Sequence, residues 1–467
     1  MTWMRLSPRL LLAFLLGAPL LQGQAPPYVA PQDPAVQQKL AWWQGLKFGL
    51  FMHWGPYSQW GVVESWSICP EDEAWTQRTG PSGKSYFEYK AAYEKLGRTF
   101  NPTRFDPSKW ARAAREAGMK YVVFTTKHHD GFCMFDTAVT SYKVTDPSCP
   151  FSADPRANIA KGVFSAFRQE GFGIGAYFSK PDWHSENYWW SYFPPKDRNA
   201  NYAPAKYPDR WKAFSQYTRQ QIEELMTGYG KVDILWLDGG WVQPPREDLD
   251  MNGIAAMARK HQPGLIVVDR EVHGENENYR TPEQQVPPKP LAFPWETCMT
   301  MGDSWSYVPK DNYKSAQTLI QQLCRIVSRG GNFLLNIGPG PEGDFDPVAY
   351  ERLREVGAWM KVNGEAIYES RPVAPYESGD MVFTARADGH IYAIQLAKED
   401  GSGLPERVVI PAEVTGRDVR ISLLGHSGQL DFHRTAGGPV EVLIPAKLRL
   451  APPSAHAWVF RITPGKS

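Results

Sequence analysis

The chain has 467 residues, 42% hydrophobic and 22% charged; that supports a sizeable core and exceeds one ordinary domain, so a large catalytic-sized domain with a smaller companion is expected. A formal net charge of +1 gives no support to a nucleic-acid partner or an acidic surface. The 18 Trp, 21 Tyr and 22 Phe favour a carbohydrate protein only mildly, because aromatic rings fill cores as readily as they stack on sugars.

In chain order, Arg5 and Arg9 precede an apolar run at residues 10–21, and the small residues Gly23 and Ala25 follow. This is the layout of a cleaved signal peptide over residues 1–25, since the run is too short to span a bilayer well. No later stretch approaches about 18 uninterrupted apolar residues. The mature protein is expected to be exported, periplasmic or secreted, with no membrane partner. Residues 26–40, rich in Pro, Gln and Ala, read as a leader. Strands are then predicted at 46–54, 121–130, 172–179, 232–238 and 265–270, with a weaker one at 291–297 because of Pro294, and one at 332–338. Helices are predicted at 107–118, 160–170, 208–227, 249–261, 313–328 and 347–362. The first of these has Asp106 as N-cap, Pro107 at its first position and Gly118 as its stop. Beyond residue 376 the pattern changes to short alternating runs split by Gly, Asp and Pro, which read as an antiparallel β-sandwich, with 369–375 as the boundary.

Alternating strands and helices over more than 300 residues predict a parallel α/β fold. A doubly wound sheet is the weaker choice, because no GxGxxG follows the first strand and polar residues crowd the far ends of the strands. Polar groups at the C-terminal ends of several strands are the habit of a (β/α)8-like barrel, expected here over residues 41–370. Cys69, Cys133, Cys149, Cys298 and Cys324 are odd in number and show no CxxC spacing. They suggest no zinc site and read mostly as free, buried thiols, with room for one disulfide.

The stretch VDILWLDGGW (232–241) ends an apolar strand on Asp238. A carboxylate there is costly unless it faces a polar cavity, and Gly239 and Gly240 leave room for a sharp turn or a ligand. Asp before Gly is also an ordinary turn or cap. If the reaction is glycoside hydrolysis, a second carboxyl is needed close by, roughly 5–5.5 Å away in a retaining enzyme. Glu283 and Glu296 are close to even for that role, whereas Glu271, Glu275 and Glu277 read as solvated loop charge. His53, His128 and His129 sit at strand ends and fit either a metal or the hydroxyls of a sugar. Trp54, Trp66, Trp183 and Trp295 fit a sugar face or the core equally well.

FGLFMHWGPYS, ESW, the TTKHHDGF block, GAYFSKPDW, ILWLDGGW and VVDR occur in that order. Together they resemble the α-L-fucosidases of glycoside hydrolase family 29 from about residue 40 to about 370. The resemblance implies a retaining exo-fucosidase on a (β/α) barrel with a C-terminal β-sandwich, no metal and no other cofactor. It makes Asp238 the nucleophile and assigns substrate contacts to His53, Glu64, Trp66, His128, His129, Tyr177 and Arg270. The TPEQ stretch makes Glu283 the preferred acid/base over Glu296. WETCMTMGDSW resembles the subgroup that prefers α-1,3/1,4-linked fucose, which places Trp295 and Glu296 beside the substrate. The partner is then a fucosylated oligosaccharide or glycoconjugate. Two other classes are carried alongside: a non-catalytic carbohydrate-binding barrel, and a metal-dependent hydrolase built on the histidines.

Overall fold

A computed structural model describes residues 26–70, 76, 78–81, 85–416, 418–434 and 436–465; the expected signal peptide, residues 1–25, lies outside them. The first helix, α1 (Pro34–Leu46), is capped by Asp33, whose carboxylate accepts from the Ala35 N–H at 2.8 Å. It occupies part of the segment read as a leader. Its only buried residues are Val36, Leu40 and Trp43, and that sparse four-then-three spacing is hard to see among Pro, Gln and Ala.

The barrel follows as β1 (Phe48–Met52), α2 (Tyr86–Glu94), α3 (Pro107–Glu116), β2 (Tyr121–Lys127), α4 (Ile159–Gln169), β3 (Gly173–Ser179), α5 (Pro208–Gly228) and β4 (Ile234–Asp238). It continues as α6 (Met251–His261), β5 (Ile266–Val268), β6 (Glu296–Thr300), α7 (Ala316–Ser328), β7 (Asn332–Asn336) and α8 (Pro347–Asn363). The strands pair in parallel in the order β5-β4-β3-β2-β1-β7-β6. Nearly every strand residue is buried, as required of a parallel sheet covered by helices on one face and closed on the other. Asp106 caps α3 by accepting from the Lys109 N–H at 3.0 Å.

The gap between β5 and β6 is filled by residues 278–284, where the sequence predicts no strand. The Asn278 N–H donates to Val267 O at 3.0 Å on the β5 side. On the β6 side, the Glu296 N–H donates to Arg280 O and the Gln284 N–H to Cys298 O, both at 2.9 Å. Pro282 has no N–H to give, so the pairing survives only as single bridges, Arg280–Trp295 and Glu283–Cys298. This irregular eighth position closes the barrel and lifts Glu283 to its mouth. β6 itself starts later than expected, past Pro294, which puts Glu296 at the opposite end from the mouth.

The C-terminal part comprises β8 (Arg371–Ser378), β9 (Met381–Ala385), β10 (Ile391–Leu396), β11 (Arg407–Ile410), β12 (Val419–Leu423), β13 (Phe432–Arg434), β14 (Val440–Leu443) and β15 (Ala457–Pro464). They form two antiparallel sheets, β12-β15-β10-β9-β8 and β11-β14-β13. β8 already starts at Arg371, inside the segment read as a boundary. Side chains alternate along the larger sheet. Phe383, Ala393 and Phe460 face the smaller sheet, while Val382, Ile394 and Val459 join the barrel's core. The Trp359 indole N–H of α8 donates to Ala457 O of β15 at 2.9 Å. Trp359→Ala is therefore expected to cost about 3–5 kcal/mol in urea unfolding; a loss under about 1 kcal/mol would show that this seam does not brace the barrel.

Candidate active site

The C-terminal ends of the barrel strands surround a cavity of about 870 Å³. It is lined by Asp238, His53, His128 and His129 together with Glu64, Trp66, Arg270 and Glu283. The geometry starts from Asp238, the last residue of β4. Its Oδ1 accepts from the Gly239 N–H at 2.8 Å, and its Oδ2 accepts from the Tyr177 hydroxyl of β3 at 2.6 Å. Gly239 has φ +88° and lies against Pro181, so a Cβ there would meet Pro181 Cδ at 2.4 Å. Arg270 Nε stands 3.4 Å from Oδ1. Burial alone would raise the Asp238 pKa, but Arg270, His129 and the two hydrogen bonds bring it down to about 2. The group is thus a carboxylate across the working pH range.

Arg270 reaches a second carboxylate as well: its Nη2 donates to Glu283 Oε2 at 2.7 Å. One guanidinium therefore ties the carboxylate at the end of β4 to the one on the irregular eighth segment. Arg270, Glu271 and His273 all hold positive φ, a strained run just behind β5.

The imidazoles are oriented from behind. The Asn336 amide donates to Trp305 O at 2.7 Å, which leaves Asn336 Oδ1 to accept from His53 Nδ1 at 2.8 Å. The Ser179 hydroxyl donates to Pro181 O at 2.6 Å, so it accepts from His129 Nδ1 at 2.8 Å. In both rings Nε2 is left as a bare acceptor. Burial holds the His53 pKa down to about 4 and the His129 pKa down to about 3, so both rings are neutral. His128 is hydrogen-bonded to Ser65, and burial lowers its pKa well below the usual value. A cavity lined by neutral acceptors fits a ligand rich in hydroxyl donors.

Glu64, at φ 23° and fully buried, accepts at Oε1 from the Ser306 N–H at 2.6 Å. Burial raises its pKa to about 8 against the Ser306 hydrogen bonds, with Glu283 and Asp238 adding to the rise. Its carboxyl is neutral at pH 7 and can donate. An acid raised in the folded state stabilises fully below its ordinary value of 4.5 and loses that contribution as pH rises through about 8. The stability of the wild type relative to Glu64→Gln should therefore fall between these limits, by up to about 1.4 kcal/mol per pH unit. A pH-independent difference in urea midpoints would contradict a buried neutral Glu64.

Three of the expected site residues do not line the cavity: Tyr177 is fully buried and acts on the site only through its hydrogen bond to Asp238, and two others lie elsewhere. Glu296, at the start of β6, is sealed in the barrel interior, and its carboxylate accepts from Tyr121, Trp236 and Tyr279. Trp295 is buried against Gly331. Neither lines the cavity. Trp54 packs in the core with Phe100 and Trp110, and Trp183 lies behind Trp66 and His129. Of those four tryptophans only Trp66 reaches the cavity. Conversely, Glu277 is not solvated loop charge, since it is buried between His273 and Arg280, whereas Glu271 is exposed as expected, at the edge of the cavity.

The sequence reading also missed Trp305, which packs on His53 and Phe51 at 5.1 and 6.0 Å, and Arg198, whose guanidinium lies over Trp66 and Trp241 at 4.9 and 5.3 Å. Trp305 lies within the quoted WETCMTMGDSW block and Asn336 ends an apolar strand, so both carried a signal; Arg198, deep in a long loop, carried none. All five cysteines are buried, and none forms a disulfide. Among the described residues, His128, His129 and Asp238 offer ligand atoms within 4.8 Å of one another, close enough to share a cation, although Arg270 already claims one oxygen of Asp238.

Carboxylates, hydroxyl-accepting imidazoles and aromatic walls at the mouth of a (β/α) barrel are the equipment of a glycoside hydrolase. Over residues 18–365 the sequence matches the model of the α-L-fucosidase family, and the chain belongs to that family. It is 28% identical to human tissue α-L-fucosidase, covering 97% of this chain and 96% of the relative. It is also 28% identical to human plasma α-L-fucosidase, covering 91% and 90%. Among solved structures it is similar to α-L-fucosidase isoenzyme 1 of Paenibacillus thiaminolyticus, with a TM-score of 0.75 and 29% identity over 92% of this chain and 100% of the other. A further similar structure is a family 29 α-L-fucosidase of Bacteroides thetaiotaomicron trapped as a covalent intermediate with 2-fluoro-fucosyl fluoride. It gives a TM-score of 0.71 and 25% identity over 94% and 98% of the two chains.

Proposed function

We propose that the protein is a retaining exo-α-L-fucosidase that releases terminal α-linked L-fucose, with α-1,3/1,4 linkages preferred. The observation that carries this reading is the Arg270 guanidinium holding Asp238 and Glu283 together at the mouth of an acceptor-lined cavity. Asp238 attacks the anomeric carbon while the Glu283 carboxyl, in its protonated form, gives its proton to the departing glycosidic oxygen and is left as the carboxylate. Glu283 then takes a proton from water, the hydroxide attacks the same carbon, and the Asp238 ester bond breaks with net retention. An Asp238 carboxylate held at a low pKa is a good leaving group in that second step. His53 and His129 accept hydroxyl protons of the sugar, and neutral Glu64 donates to one of its oxygens. Phe51, Trp236 and Trp305 offer an apolar wall for the C5 methyl group.

The linkage preference rests on the WETCMTMGDSW resemblance. The volume of the cavity, in the upper part of the range for small-molecule sites, leaves room for more than one ring. Export through the N-terminal segment completes the reading; a secreted activity with a new N-terminus near residue 26 tests it. For the catalytic reading, the purified mature chain should hydrolyse 4-nitrophenyl α-L-fucoside and a Lewis-a trisaccharide, with no loss of rate after chelator treatment. Loss of activity that zinc restores would favour a metal-dependent hydrolase built on His128, His129 and Asp238. Binding without turnover would favour a carbohydrate-binding barrel.

A further inference from the structure

We propose that Glu296, buried at the far end of the barrel, is a positioning residue that sets the catalytic arginine through Trp236. The inference rests on the fucosidase reading and goes beyond it. A carboxylate sealed in an apolar interior is costly, and a well-packed apolar residue would commonly serve stability as well or better. Glu296 nevertheless accepts three hydrogen bonds: from Tyr121 at 2.5 Å, from the Trp236 indole N–H at 3.1 Å and from Tyr279 at 3.2 Å. The two tyrosine rings are already fixed by packing, since Tyr279 stacks on Trp43 at 3.9 Å and Tyr121 meets Trp43 edge-on. The indole is the partner with a second task.

Trp236 points up from the same strand that ends in Asp238. Its ring stacks on Tyr177 at 5.5 Å and carries the Arg270 guanidinium 5.0 Å from its centroid. Tyr177 and Arg270 are the two side chains that hold Asp238, and Arg270 also holds Glu283. Anchoring the indole N–H therefore fixes the plane on which both rest. Without the acceptor, the ring can rotate, and the geometry of both carboxylates loosens together. Errors of about 1 Å in such positioning cost up to about a hundredfold in rate.

The test compares Glu296→Leu, Glu296→Gln, Trp236→Phe and the Leu/Phe double variant on 4-nitrophenyl α-L-fucoside. Rates are expressed per active site titrated with 2-fluoro-fucosyl fluoride. Glu296→Leu and Trp236→Phe should each lose about tenfold or more in kcat per titrated site. The double variant should be no worse than the poorer single one, because both cut the same link. Glu296→Gln keeps an acceptor for the indole and should retain kcat within about threefold. Additive losses in the double variant, or an unchanged kcat per titrated site with only a lower Tm, would overturn the proposal. Should Glu296→Leu not fold, Trp236→Phe carries the test with Glu296→Gln, and full activity of Trp236→Phe overturns it. A wild type that never hydrolyses the fucoside overturns the fucosidase reading instead.

Discussion

Asp238→Gly is expected to lower kcat on 4-nitrophenyl α-L-fucoside by at least about 10⁴-fold, the order seen when a catalytic nucleophile is removed. The reason lies in the preparation of this carboxylate. Tyr177, the Gly239 N–H and Arg270 converge on it from three directions, and its pKa of about 2 means that no proton must leave before attack. Removing the side chain opens a small, cation-lined space beside Arg270. Azide fits that space in charge and size, so it should restore turnover and yield a fucosyl azide of inverted configuration. A loss under about a hundredfold, or no rescue by azide, would argue against covalent catalysis at this position.

Glu283→Gln should separate two substrates. On a Lewis-a trisaccharide, whose leaving group is a poor one, loss of the acid should cost about 10²–10⁴-fold. On the 4-nitrophenyl glycoside, whose leaving oxygen needs no proton, cleavage of the glycosidic bond should be slowed far less. The same comparison on Glu271→Gln, the other glutamate at the rim, should show no such split. If Glu271→Gln shows it and Glu283→Gln does not, the acid/base roles are exchanged.

Much of this was legible in the sequence because the barrel's own pattern is local. Apolar strands that end on His53, His128, Tyr177 and Asp238 announce a mouth lined with polar groups, and Asp106–Pro107 announces a helix start. The eighth strand position was not legible, because Pro282 breaks its ladder into single bridges and its side chains are mostly polar or charged. That concealment left Glu283 and Glu296 near parity. The TPEQ resemblance already favoured Glu283, and register agrees with it: β6 begins at Glu296, so this residue lies at the closed end, while Glu283 sits beside Cys298 near the open end. The tryptophans were ambiguous for a related reason. Burial depends on which face of a loop packs inward, and no periodicity records that for Trp183 or Trp295.

On the proposed mechanism, Asp238 becomes covalently bonded to fucose during turnover. Incubation with 2-fluoro-fucosyl fluoride, followed by peptide mapping, tests it most directly. One added 2-fluoro-fucosyl group per chain is expected, on the peptide that contains Asp238, with loss of activity in step with labelling. An inactivated enzyme labelled on another carboxylate, or normal turnover of a fucoside with no adduct formed, would contradict it.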